Sequence, residues 1–423
     1  MVQLNRRTLS YFDFHYLKQA KNLKVKLLLV FLHGSLLLLA AIRLQYTNYL
    51  RADENDFLKL FTILKHDIFR HNPKPIGDSV VFIDISKDIK LIPDTINNAP
   101  VIEGRFKLDS SQIVITDRVK LAWLFHLLNS HPEGYKYILC DLYFELPSAD
   151  DPILRPEIEK ARNCIVSAEF NGNRLAEPVF KLNCGSVDYY STARNQFNKL
   201  MIFDRGFKTL PVKMMEDLSA GKFTQSQGWT FQDGRPAFNT VIPEFFYRKE
   251  DLHDASRERP NLLYLYQLFA QPEVFEKYLK SKYIIIGDFS GGDEHVTYQG
   301  ALPGPIILFD SFLTLRDYSA AITAGWCLFL LLCFFGVSYR IFLFPPQSDH
   351  TEPVIRVNLF NDFWVKYVSY LGLFILINFV SFFVFNKLVS ILYLVTYLTI
   401  LEFILQKWLA YQKNRSLSKT LLG

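Results

Sequence analysis

Three aspartates stand at the ends of apolar runs: Asp84 closes VVFID, Asp141 follows YKYILC, and Asp288 follows YIIIG. If these runs are strands paired in parallel, all three carboxylates fall at carboxyl ends, the edge where open α/β sheets place their ligand crevices. Asp293, Glu294 and His295 follow in a Gly-rich loop that would lie above the same edge. Oxygen ligands gathered this way hold Mg²⁺ or Ca²⁺, and an imidazole beside them can serve as acid or base. The same carboxylates also cap helices and satisfy backbone N–H groups at strand ends, which is their more ordinary use. Both readings are open. On the first, Asp84→Asn and Asp141→Asn alter a ligand or metal response more than stability.

Other chemistries lack their residues. GDFSGGD (287–293) has neither the Lys-Ser/Thr ending of a P-loop nor the glycine spacing of a dinucleotide fingerprint, and its glycines read as a tight turn. The chain shows no Ser nucleophile elbow, no Cys with an evident His partner and no zinc spacing. No catalytic residue is assigned, no cofactor is expected, and the chain reads as a non-enzyme. Of five cysteines, Cys327 and Cys333 fall in an apolar span and Cys140 in an apolar strand. Whether Cys164 and Cys184 pair is open. The net charge of +5 gathers beside apolar segments, so it speaks of membrane topology and anionic lipid rather than nucleic acid.

The candidate residues need a sheet to position them. Strands are expected at Val80–Ser86, Tyr135–Phe144, Cys164–Phe170 and from Tyr283, with a strand-like run at Lys199–Phe203. Helices are expected at Asp117–Asn129, from Asp151, at Pro211–Leu218, at Asn261–Lys280 and within Leu302–Leu315. This alternation predicts an α/β domain with a largely parallel or mixed sheet. Tyr189, Tyr190, Trp229, Phe231, Phe245, Phe246 and Tyr247 either line a groove or belong to the core, the commoner place for aromatics.

Four apolar segments frame that domain, one before and three after, each near the roughly 20 residues that cross a hydrocarbon layer of about 30 Å. They are residues 25–42, 320–338, 367–385 and 388–408, the last two forming a tight hairpin. Basic residues before the first and after the last place both ends in the cytoplasm. Residues 1–24 are then a cytoplasmic segment, 43–319 an extracytoplasmic domain, 339–366 a cytoplasmic loop and 409–423 a cytoplasmic tail. A cleaved signal peptide is the competing reading of the first segment, but its leader is long and its apolar run exceeds a typical signal core. His33, Asn378 and Glu402 are polar exceptions within the spans, read as helix-packing groups ahead of ion conductors.

The order of these segments resembles the CHASE2 family of extracytoplasmic sensory domains, over residues 25–408. Asp84 ends the first strand, Arg118 opens the following helix, Asp141 ends the next strand, and an acid follows at Asp150 or Asp151. Gly287, Asp293, Pro303 and Gly304 match the family's closing strand, loop acid and Pro-Gly turn. The resemblance implies a sensory domain at the bacterial cytoplasmic membrane and adds Arg118 to Asp84, Asp141, Asp288, Asp293 and His295 as ligand-binding candidates. Two departures bear on that implication: Ile306 and Leu308 stand where the family has polar residues, and the Trp-Pro pair before the Arg is missing. Relatives commonly continue into an output domain, whereas the sequence runs only a short way past its last span. The expected function is therefore a membrane-anchored sensor or interaction protein acting through a separate membrane or cytoplasmic partner, or as a homo-oligomer. The alternatives are an accessory subunit of an envelope complex and, behind it, an extracytoplasmic metal-dependent hydrolase.

Overall fold

The computed structural model describes residues 23–45, 54–70, 79–93, 107–109, 112–187, 189–191, 196–252, 262–273, 282–343 and 358–421. The N-terminal aromatic stretch (Tyr11 to Tyr16), the Pro-rich stretch Phe344–Pro353 and, of the expected 261–280 helix, Asn261 and residues 274–280 lie outside the described residues. The chain divides into two compact units, Leu58–Ala321 and Met1–Phe57 with Ile322–Gly423.

In the first unit the apolar runs become a parallel sheet. Strand β1 (Val80–Asp84) is buried along its whole length, as a strand covered on both faces must be. The short antiparallel strands β2 (Ile89–Pro93), β3 (Lys107–Asp109) and β4 (Gln112–Thr116) precede helix α3 (Arg118–Ser130). Two helices stand earlier in the chain, α1 (Leu23–Leu44) and α2 (Glu54–Ile63). Asp117 caps α3 by accepting hydrogen bonds from the N–H groups of Val119 and Lys120. There follow β5 (Tyr135–Tyr143), α4 (Asp151–Ile158), β6 (Cys164–Ala168), β7 (Asn183–Ser186), β8 (Gln196–Met201) and α5 (Leu210–Asp217). The unit ends with β9 (Leu262–Tyr264), α6 (Leu265–Ala270), β10 (Lys282–Gly287), the hairpin β11 (Glu294–Thr297) and β12 (Gly300–Pro303), and α7 (Gly304–Asp317). The main sheet runs β9-β1-β10-β5-β6-β7 with every pair parallel.

Alternation along β1 assigns the two faces. Val81 and Ile83 join Leu121, Leu124, Phe125 and Leu128 of α3 in the larger core, whereas Phe82 meets Tyr247, Phe289 and Phe309 in edge-to-face contacts on the other side. Helix α7, which carries Phe309, is buried from Gly304 to Leu315.

One expected helix is corrected, and readings left open by the sequence are resolved. The helix expected over 261–280 is in part a strand: Leu262–Tyr264 pairs with β1, its leucines buried, and Leu265–Ala270 turns helical before Pro272. The Gly-rich loop leads into the β11–β12 hairpin, which the sequence reading did not include, before the helix expected within Leu302–Leu315. Phe245, Phe246 and Tyr247 are core residues, not a groove. All five cysteines are free. Cys184 lies opposite Val166, two residues beyond Cys164, so their Cα atoms are about 8 Å apart by strand geometry, too far for a disulfide.

Among its described residues the second unit holds four helices long and apolar enough to cross a membrane: α1, α8 (Ala324–Leu343), α9 (Asn358–Phe385) and α10 (Ile391–Leu421). The chain is a multi-pass membrane protein. Gly34 of α1 lies against the backbone of Phe334 and Phe335 in α8, where an added Cβ would come within 3.3 Å. The second span starts at Ala324, not at Ala320, because Ala321 is still held by the domain: it bridges Ala237, and its N–H donates to Gln232 Oε1 at 3.1 Å. The α9–α10 turn is fastened by Asn378, which receives the Val389 N–H and donates Nδ2 to the Val389 carbonyl.

Candidate functional site

Strand register brings the expected aspartates to one edge. Asp84 lies opposite Gly287, and Ile286 lies opposite Cys140, so Asp84 and Asp141 flank Gly287 in one row. Gly287 must lack a side chain here, since a Cβ would overlap the Pro305 ring and lie 3.4 Å from Asp141 Cβ. Helix α7 therefore begins directly against the strand ends. A Cβ on Gly304 would collide with Asp293 Oδ2 and lie 3.3 Å from Asp141 Oδ2, so two carboxylates converge on the first residue of this helix.

The edge holds two adjoining groups. Asp141 accepts a 2.5 Å hydrogen bond from Ser167 Oγ; Asp293 Oδ1 lies 3.0 Å from His295 Nε2, and the Asp293 carbonyl accepts the Gly304 N–H. Asp84 instead accepts from the N–H groups of Ser86 and Phe289 and from Ser290 Oγ at 2.6 Å, while Asp288 accepts the Ser290 N–H. The second group thus ties the loop after β10 to the end of β1, the holding use of strand-end carboxylates.

Electrostatics separates the groups further. Burial, and then the charge of Asp293, push the Asp141 carboxyl up to about 7, against the opposing pull of Ser167 and His295. Burial also raises Asp288, with the Asp84 and Asp293 charges adding to it against the Ser290 N–H. For His295, burial acts downward, but the hydrogen bond and charge of Asp293, with the charge of Asp141, carry it above the ordinary imidazole value. Asp141, Asp293 and His295 therefore form one polar group beside the positive end of a helix dipole, in which the Asp141 carboxyl and the His295 imidazole are both raised.

Arg118 stands in a different setting. Its guanidinium lies over the Phe144 ring at 4.4 Å and the Phe180 ring at 5.7 Å, with Nε 3.7 Å from Asp151 Oδ1. Of the two acids expected to follow Asp141, Asp151 is the partner of Arg118, and Asp150 pairs with Lys90. Ser167 and Ser290 escaped sequence reasoning because only register brings them to the carboxylates. Among the described residues, no group of three or more His, Cys, Asp or Glu side chains is arranged to hold a metal ion.

Within the helical unit, His33 bridges two neighbouring helices, Nδ1 lying 2.7 Å from Ser338 Oγ and Nε2 3.1 Å from Tyr397 Oη. Glu402 accepts from Tyr370 Oη of α9 at 2.8 Å and from Gln406 Nε2 of its own helix at 3.4 Å, and lies 3.6 Å from Lys366 of α9. No family model, curated protein or solved structure matches the chain.

Proposed function

We propose that this chain is a bacterial cytoplasmic-membrane sensor of the CHASE2 type, its α/β domain extracytoplasmic and both termini cytoplasmic, acting through a separate protein partner. The observation that supports this most is the convergence of Asp141 and Asp293 on Gly304, the first residue of α7. A stimulus that changes the charge of those carboxylates acts on the end of a helix, and the chain runs from that helix into the span at Ala324. The stimulus is a proton or a small cationic solute, since carboxylates face the helix end. His33, Asn378 and Glu402 serve helix packing.

A second reading, an accessory subunit of an envelope complex, is favoured by Ile306 and Leu308, both buried where a ligand-binding relative would have polar groups. The hydrolase alternative has no such support. The two main readings are tested by quantitative mass spectrometry of proteins recovered with the tagged chain in mild detergent, wild type against Asp141→Asn. A stoichiometric partner whose recovery changes with the substitution is the outcome expected of a sensor. Unchanged recovery favours the accessory subunit, and recovery of the chain alone sinks both.

A further inference from the structure

A second buried polar cluster lies away from the carboxylate edge. After α2 the chain makes one π-helical turn, Leu64–Ile68, closed by the Phe69 N–H donating to the Leu64 carbonyl at 2.9 Å. Successive side chains on an α-helix diverge by about 100°, and the wider π turn lessens that angle. Lys65 and His66 accordingly reach the same carboxylate. Lys65 Nζ pairs with Glu244 Oε1 and His66 Nε2 lies 3.4 Å from Glu244 Oε2, the three side chains being only 1%, 3% and 1% exposed.

Glu244 also grips the helix that leads out of the domain. Its N–H donates to Thr314 Oγ1 of α7 at 2.8 Å, and the Lys65 ammonium lies 5.5 Å from the ring centroid of Tyr318, just past the end of α7. One turn back on α7, the Asp310 carboxylate accepts the Tyr247 N–H at 3.4 Å. Burial opposes the Glu244 charge, but His66 and Lys65 overcome that and hold its carboxyl below the usual range. The segment that follows the first span and the helix that precedes the second are thus joined through one residue.

Ion pairs this deeply buried add little stability over apolar residues of the same shape, yet losing one partner is severe because the other charge is left uncompensated. Such a cluster favours two conditions, closed and dry or open and hydrated, over partial loosening. We propose that Lys65, His66 and Glu244 form a latch coupling the segment around Leu64–Ile68 to α7, so that a displacement of α7 begun at Gly304 is passed to both chain crossings of the domain. This deepens the sensory reading and rests on it for its use, though the latch itself is testable without any partner.

The test is hydrogen exchange followed by mass spectrometry on the full chain in nanodiscs. Glu244→Gln is expected to raise exchange about tenfold both in residues 58–69 and in α7, equivalent to about 1.4 kcal/mol of opening, while β1 and β10 stay protected. A rise confined to one of the two segments overturns the latch. Because a lone buried lysine risks general unfolding, Lys65→Met with Glu244→Leu is the companion variant. It is expected to keep wild-type protection in both segments. In the wild-type background Asp141→Asn should alter exchange in α7 and in residues 58–69 together, and a change that stops at α7 overturns the coupling. These outcomes do not depend on whether a partner co-purifies, so failure of the latch and failure of the sensory reading are separately visible.

Discussion

Asp84 and Asp141 illustrate how one residue type serves two purposes at one sheet edge. Asp84 accepts three hydrogen bonds from the loops beside it, and Asp84→Ala should cost on the order of 3 kcal/mol, since hydrogen bonds to a charged acceptor contribute about 1.5–3 kcal/mol each and do not add fully. Asp84→Asn keeps an acceptor oxygen for the backbone donors, so its loss in thermal melts should be much smaller. Asp141 behaves oppositely. Its folded value of about 7 lies above the ordinary 3.8, so the native state holds this proton more tightly than the unfolded chain. Stability from this group is full below about pH 4 and falls as pH rises to about 7. Asp141→Asn, which can still accept from Ser167, should leave the melting temperature nearly unchanged at pH 4 and raise it at pH 8. The ceiling is roughly 4 kcal/mol. His295, raised by Asp293, loses its stabilising contribution in the same direction, as pH climbs through its folded value. A melting profile for the variant parallel to wild type across this range would show that Asp141 is ionised throughout.

At the level of elements, what could be read from the sequence was what burial writes into it. β1, β5, β6 and β10 have buried centres that appear as apolar runs, and α3 carries a cap and an apolar face. The aspartates at strand ends were legible for the same reason, as the first polar residues after each run. β9 was not legible, because Leu262–Tyr264 is too short for a period and continues into a true helix. The β11–β12 hairpin was missed because its strands are only four residues each and partly exposed, held by pairing with each other and with β8. The meeting of β10 with α7 depends on Gly287, whose absent side chain makes room for Pro305. Gly287→Ala should therefore destabilise by about 1–3 kcal/mol through overpacking and push α7 from the edge. A circular-dichroism melt at wild-type temperature would argue against that close approach.

For the whole molecule, the arrangement of spans makes a claim about sidedness. In a background with the five native cysteines replaced, Asn173→Cys, in an exposed turn of the domain, should react with a membrane-impermeant thiol reagent in intact cells. Ser418→Cys, near the end of α10, should react only after permeabilisation, and the reverse pattern would invert the topology. The sheet order has a further consequence, for how the protein is made. β1 forms early in the sequence, yet both of its neighbours, β9 and β10, come from residues 262–287. Until that stretch has been synthesised and moved to the side of the membrane where the domain folds, Val80–Asp84 has no sheet to enter. Long-range parallel pairing is also slow to form. Most of the domain must wait as an unfinished chain, tethered by its first span, for a late segment to arrive, and fragments ending before Lys282 should accumulate as substrates for chaperones and proteases rather than as smaller folded proteins.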